Sequence, residues 1–183
     1  MGHLRLVHSG PPLVSRADSC FDAFEREFDY VFETLRRLGA GPNEVEDLAQ
    51  DVFMVLHRHW LTFDTSRPLR PYLFGVAFRI VRAHRRRRAR ETPRPTITIE
   101  DDTASPETLL QSKQATEILL AALKRVPLSR RAVVIMHDLD EVPMDDVARQ
   151  LSIGRFGAYA RLRKGRRELS ASVRRLLALG QWK

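Results

Sequence analysis

With 183 residues, 43% of them hydrophobic, the chain has the length and apolar content of one ordinary folded domain or two small ones. Its 31 Lys plus Arg against 23 Asp plus Glu leave a formal charge of +8, which points towards nucleic acid, an acidic protein or an anionic membrane surface. The single cysteine, Cys20, excludes an intramolecular disulfide framework and any cysteine-based zinc cluster, and no apolar run approaches the length of a bilayer span.

The first 18 residues contain Pro and Gly and lack the charged start and apolar stretch of an export signal, so a loose leader on a cytoplasmic chain without membrane insertion is expected. Phe21, Phe24, Phe28, Val31, Leu35 and Leu38 then recur at alternating three and four spacing and predict one amphipathic helix. Asp18 or Ser19 caps its start and the GAGP stretch ends it. A second helix is expected from near Pro42 to about Trp60, with Asn43 and Glu46 at capping-box spacing. Leu48, Ala49, Val52 and Leu56 form its inward face, and Asp47, Asp51, Met54 and Arg58 fall outward.

After a connecting loop, PYLFGVAFRIVRAHRRRR reads as a third helix with two stripes. Leu73, Val76, Ala77, Ile80 and Val81 want a core. Tyr72, Gly75, Arg79, Arg82 and Arg86 place a ring and a bare glycine ahead of three cations. Cations hold phosphates while exposed rings stack on unpaired bases, so this second stripe suits single-stranded nucleic acid.

Residues 91–112 carry three prolines and an acidic cluster and read as a flexible linker. They divide an all-α chain into two small helical domains, residues 19–90 and residues 113–183. In the second domain, helical periodicity resumes through QATEILLAALKRV and continues in SRRAVVIMHDLD, PMDDVARQLS and RFGAYARLRKGRRELSASVRRLLAL. The last two have the layout of a helix-turn-helix, with small Ala148 at the close approach and SIG as the turn. The second of these helices begins near Arg155 and buries Ala158, Leu162, Gly165 and Leu169. Tyr159, Arg161, Arg163, Lys164 and Arg166 remain more exposed.

Catalytic and metal-binding patterns do not emerge. His57 and His59 lie two apart on a helix and point away from each other, so they cannot chelate one ion. Asp101 and Asp102 lie in the linker, and Asp145 and Asp146 occupy a helix's first turn, where carboxylates favour the macrodipole. No phosphate-binding loop or nucleophile elbow is present, and no cofactor is expected.

Three segments, EVEDLAQDVFMVLHRHW, RPYLFGVAFRIVRAHRRRR and RVPLSRRAVVIMHDLDEVPMDDVARQLSIGRFGAYARLRKGRREL, occur in this order, and together the chain resembles a bacterial sigma factor of the extracytoplasmic-function group, in the sigma-70 family. The resemblance covers almost everything after Phe21. It implies a region-two domain at 19–90, a region-four helix-turn-helix domain at 113–183, and a role in promoter recognition, melting and transcription initiation. Asp47, Gln50, Asp51 and Met54 would contact core RNA polymerase. Tyr72, Arg79, Arg82, Arg85 and Arg86 would lie along the minus-ten element, and the loop from Leu61 to Arg70 would help form a pocket for a flipped-out base. Arg155, Tyr159, Arg161, Arg163, Lys164 and Arg166 would meet the minus-thirty-five element in duplex DNA.

The resemblance also implies an anti-sigma factor as partner and a linker that threads near the polymerase cleft. Tyr72 stands where the family usually has tryptophan, Arg79 where asparagine is usual and Ala83 where aspartate is usual. Other readings of the same residues are a helix-turn-helix regulator that binds duplex DNA without being a polymerase subunit, and a basic RNA-binding adaptor.

Overall fold

The computed structural model describes residues 19–91 and 107–178, the side chains of 107–113 excepted. The leader, the acidic stretch of the linker with its TITIE segment, and the last five residues lie outside the described residues. The chain is all-α: among the described residues there are seven α-helices and no strand. None of these helices is long and apolar enough to cross a membrane.

Helix α1 (Cys20–Leu38) starts where expected, with the Ser19 hydroxyl accepting from the Asp22 N–H at 3.0 Å. It ends in a Schellman turn, in which the Gly39 N–H bonds the Arg36 carbonyl and the Ala40 N–H bonds the Leu35 carbonyl. Gly39 has φ +88°, a left-handed conformation that favours glycine. Helix α2 (Val45–His59) departs from the expected capping box. Its entry is organised by Glu44, whose carboxylate accepts from the Gly41 N–H at 3.1 Å and also meets His84 and Arg88. Asn43 and Glu46 do not cap it, and Glu44 at the N-cap position turns its carboxylate back to Gly41 and the two basic side chains rather than onto the helix's own free N–H groups.

A short 3-10 turn (Trp60–Thr62) leads to α3 (Leu69–Glu91), which opens two residues before the expected Pro71. Pro71 falls in its first turn, where a missing N–H costs nothing. Helix α4 (Glu107–Arg125) begins inside the segment read as linker, so that the second domain's first helix includes 107–112. Helix α5 (Leu128–Val134) runs on as a single π turn (Ile135–Leu139), closed by the Asp140 N–H on the Ile135 carbonyl.

Helices α6 (Met144–Gln150) and α7 (Arg155–Ala178) form the helix-turn-helix. The turn between them is again a Schellman motif, with Ser152 at φ 53° and the Ile153 N–H on the Ala148 carbonyl at 2.9 Å. Gly165 permits α7 to press on α5, since an added Cβ would lie 2.7 Å from Val134 Cγ2. Gly157 has no such neighbour: nothing lies within 4 Å of the position its Cβ would take. Gly157→Ala is therefore expected to stabilise the chain by up to about 1 kcal/mol, read as a higher midpoint in thermal denaturation.

The two helical bodies share one core. Leu35, Leu38, Leu73, Phe74 and Val76 of the first and Leu123, Val133, Ile135, Val147 and Leu151 of the second belong to a single buried cluster. This juxtaposition sets which functional side chains remain free.

Candidate polymerase and nucleic-acid interfaces

Asp47, Gln50, Asp51 and Met54 stand three, four and seven residues apart on α2, and all four are exposed. Met54 is 45% accessible, a large apolar side chain among carboxylates. Beside it lies a strip that periodicity misassigned. Phe21 and Phe28, read as core, are 62% and 42% exposed, while Phe24 in the same stripe is buried. The rings form a chain across the two helices: Phe21 and Phe24 flank Phe53 at 6.5 and 5.1 Å, and Phe24 meets Phe28 at 6.2 Å. An aromatic pair of this kind is worth about 0.5–1.5 kcal/mol beyond its burial, which steadies the strip without covering it.

The loop between α2 and α3 forms a cleft of about 280 Å³, lined by His59, Thr62, Phe63, Asp64, Arg67 and Tyr72, with Gln150 of α6 at its edge. Trp60 stacks on Phe63 at 6.1 Å with nearly parallel planes, and Phe63 in turn leans on Tyr72 at 5.2 Å. Asp64 sets the loop's shape. Its carboxylate accepts from both the N–H and the hydroxyl of Ser66, at 3.1 and 2.6 Å, and these bonds hold it below the usual carboxylate range. Arg70 ties the start of α3 to α1, donating to buried Glu27 at 2.7 Å with its guanidinium over the Tyr30 ring.

Along α3, Arg79, Arg82 and Arg86 are exposed and share a face with half-buried Tyr72. Arg85 does not join them. Its guanidinium folds back onto the end of α1 and donates to the carbonyls of Leu38 and Gly39 at 2.9 and 3.2 Å. Helix phase explains the difference, because residue 85 points about 100° away from residue 86. Gly75, read as part of the open face, is buried under α6.

On the helix-turn-helix, Tyr159, Arg163 and Lys164 are exposed, while Arg161 is half-buried. Two of the expected cations already have partners. Arg155 pairs with Asp145 at 3.2 Å, and Arg166 makes a two-pronged contact with Asp138 at 2.9 and 2.6 Å. The hydrogen bonds to Asp138 raise the Arg166 guanidinium above its usual range. Phe156, absent from the sequence-predicted set, is 92% exposed at the second position of α7. Phe156, Tyr159, Ala160 and Arg163 together form the outward strip of this helix, opposite buried Ala158 and Leu162. An aromatic residue three positions before Tyr159 and off the apolar stripe was the available signal.

Residues 23–91 match the family described as Sigma-70 region 2. Over 145 residues the chain is 24% identical to the RNA polymerase sigma factor NccH of Alcaligenes xylosoxydans xylosoxydans, covering 76% of this chain and 78% of that protein. Its fold is similar to that of the sigma factor RpoE from Bartonella quintana, solved with the anti-sigma factor NepR (TM-score 0.63, 19% identity, 84% of this chain and 98% of the other). It is also similar to CnrH, solved with the cytosolic domain of CnrY (TM-score 0.57, 20% identity, 83% and 85%). Residues 23–91 thus belong to the Sigma-70 region 2 family, and a helix-turn-helix follows them in the chain.

Proposed function

We propose that the chain is the promoter-recognition subunit of bacterial RNA polymerase, with residues 19–90 serving as region two and residues 113–183 as region four. The observation that carries this reading is the junction of α3 with the loop before it: an aromatic-lined cleft opens beside Tyr72 and continues into exposed Arg79, Arg82 and Arg86. Separating a base-pair step costs about 1.4 kcal/mol, and one base stacked on an aromatic side chain returns about 1–3 kcal/mol. Capture of bases as they open therefore nearly balances melting. Region four holds the upstream duplex, polymerase fixes the spacing between the bodies, and the covalent chemistry belongs to polymerase.

Run-off transcription with purified core polymerase on a library of fragments from the source genome tests this. Transcripts that start at discrete sites only when the chain is added are expected. Duplex binding without any transcript would instead fit a helix-turn-helix regulator.

On this reading, core polymerase docks on Asp47, Gln50, Asp51 and Met54, with the Phe21 and Phe28 strip extending the apolar part of that surface. Replacing Asp51 and Met54 together with alanine is expected to weaken association with core roughly tenfold or more, since each truncated anchor at an interface centre costs upwards of about 1 kcal/mol. Recovery of core in a pull-down checks it. An anti-sigma factor, the kind of partner solved with the RpoE relative, fits the same reading.

Phe156 adds a base contact to region four. An exposed aromatic ring at the start of a reading helix offers an apolar surface to a thymine methyl group in the major groove. Phe156→Ala is expected to cost about 1 kcal/mol of duplex affinity and to relax the preference for thymine at one position. Competition binding of the holoenzyme to duplexes altered one base pair at a time reads both effects.

A further inference from the structure

Two cations of α7 are held by carboxylates of the same helical body, and the two pairs differ in kind. Arg155 meets Asp145 at one point, 3.2 Å, with both side chains more than half exposed, an arrangement worth little in water. Arg166 donates from Nε and Nη2 to both carboxylate oxygens of Asp138, at 2.9 and 2.6 Å, and the Asp138 side chain is 24% exposed. A side-on fork locks the guanidinium plane, whereas a single contact leaves it free to swing.

Asp138 is itself fixed. It lies in the π turn after α5, which is pinned by the Asp140 N–H on the Ile135 carbonyl at 3.0 Å, the Val142 N–H on the Met136 carbonyl at 2.8 Å and the His137 ring on the Val142 carbonyl at 3.0 Å. A guanidinium carries five N–H donors, and Asp138 takes two of them. The donors that remain, on Nη1 and Nη2, form the outer edge of the fork, and Arg166 is exposed.

Arg166 follows Tyr159 by seven residues and Arg163 by three, which puts it on the same side of α7 as the proposed reading strip. It also stands about 15 Å along the axis from Phe156, past the helix start that reaches base edges in a helix-turn-helix. There the groups beside the helix are the phosphates of the groove wall, and a phosphate offers a pair of oxygens to the outer edge of a guanidinium whose inner edge is engaged.

We propose that Asp138 is a positioning residue for duplex binding: it holds Arg166 edge-on to one backbone phosphate and so fixes the register in which Phe156 and Tyr159 meet the bases. This rests on the region-four reading for the element that is read. A phosphate contact carries no sequence preference of its own. Held in one geometry, however, it is made fully only when the bases are in register, so its loss falls on the preferred duplex more than on others.

The test uses the full chain, with Asp138→Asn, Arg166→Ala, the two together, and Asp138→Glu, and circular dichroism to confirm retained helix. The probes are the duplex that the wild-type chain enriches from a random-sequence pool, a scrambled duplex, and copies of the enriched duplex with one phosphate at a time made neutral as a methylphosphonate. Asp138→Asn and Arg166→Ala are each expected to weaken the enriched duplex about tenfold, the double variant no further, and the scrambled duplex much less. One methylphosphonate position should cost the wild type about as much and cost these variants nothing. Asp138→Glu, which keeps a carboxylate, should recover most of the affinity and the sensitivity at that position.

Asp138→Asn binding either duplex more tightly would overturn the proposal, because Asp138 would then be competing with DNA for Arg166. Equal weakening at every methylphosphonate position would also overturn it, since that pattern belongs to a merely structural pair. A chain that enriches no duplex removes the proposal and the region-four reading together. If the expected pattern appears but the chain directs no run-off transcription, the role of Asp138 stands and the polymerase reading falls.

Discussion

Arg131→Ala is expected to destabilise the chain by about 3–5 kcal/mol, the combined loss of a large buried side chain and of a charged donor shared by buried carbonyls. Arg131 is 1% exposed and is the bulkiest of the fully buried side chains. Its partners are carbonyls rather than a carboxylate: Val126 at 3.2 and 2.9 Å, Lys124 at 2.6 Å and Leu38 at 2.7 Å. Two helices end there. The C-termini of α1 and α4 turn their unsatisfied carbonyls, and the negative ends of their dipoles, towards one guanidinium.

Burial pulls the Arg131 guanidinium down to about 9, with the neighbouring Arg85 adding to the effect, so at neutral pH it is still a cation. Gly39 belongs to the same device, because an added Cβ there would collide with the guanidinium groups of both arginines. Truncation to alanine takes this donor from the Val126 and Lys124 carbonyls, leaves Leu38 with Arg85 alone, and opens a cavity the size of an arginine side chain. A lower thermal midpoint, on the order of 10 °C for a chain of this length, is the expected readout. Arg131→Lys keeps the charge but reaches one helix end instead of two, and is expected to recover less than half of the loss. A loss under about 1 kcal/mol for the alanine variant would mean that water already shares the site.

Arg131 also marks where sequence reasoning stops. In SRRAVVIMHDLD the apolar pattern located the helix, because periodicity records where side chains avoid water. It carries no information about clustered carbonyls, so an arginine that seeks them looks like any exposed cation. Arg85 was misread for the same reason: four consecutive arginines give one composition, yet Arg86 faces out and Arg85 caps α1.

The ends of α1 were legible, since Ser19 and Gly39 are local signals read without tertiary knowledge. Phe21 and Phe28 show the converse error. An aromatic stripe wider than the partner surface buries only its centre, and the sequence does not report the partner's width. The exposed α2 set of Asp47, Gln50, Asp51 and Met54 and the α3 set of Arg79, Arg82 and Arg86 were legible because helix phase alone separates them from the core. What covers Gly75 was not, because Gln150 lies 75 residues away in the chain and nothing local to either residue announces the other.

Arg79, Arg82 and Arg86 replaced together with alanine should leave core-polymerase binding intact and abolish the open complex. The three side chains are exposed on α3, whereas the residues proposed to meet polymerase lie on α2, so the substitution removes three positive charges from one surface without touching the other. Each phosphate contact to a single strand contributes about 0.7 to the slope of log affinity against log salt, so three lost contacts should flatten that slope by about 2. Permanganate reactivity of thymines at a promoter identified by run-off transcription should disappear, while pull-down of core is unchanged.

If melting is lost while pull-down of core is unchanged, the arginines act by holding the strand. If permanganate reactivity survives, the strand is held elsewhere and this face of α3 is not the minus-ten surface. Arg85→Ala supplies the contrast, because its side chain serves the carbonyls of Leu38 and Gly39: it should lower thermal stability and leave the salt slope as it was.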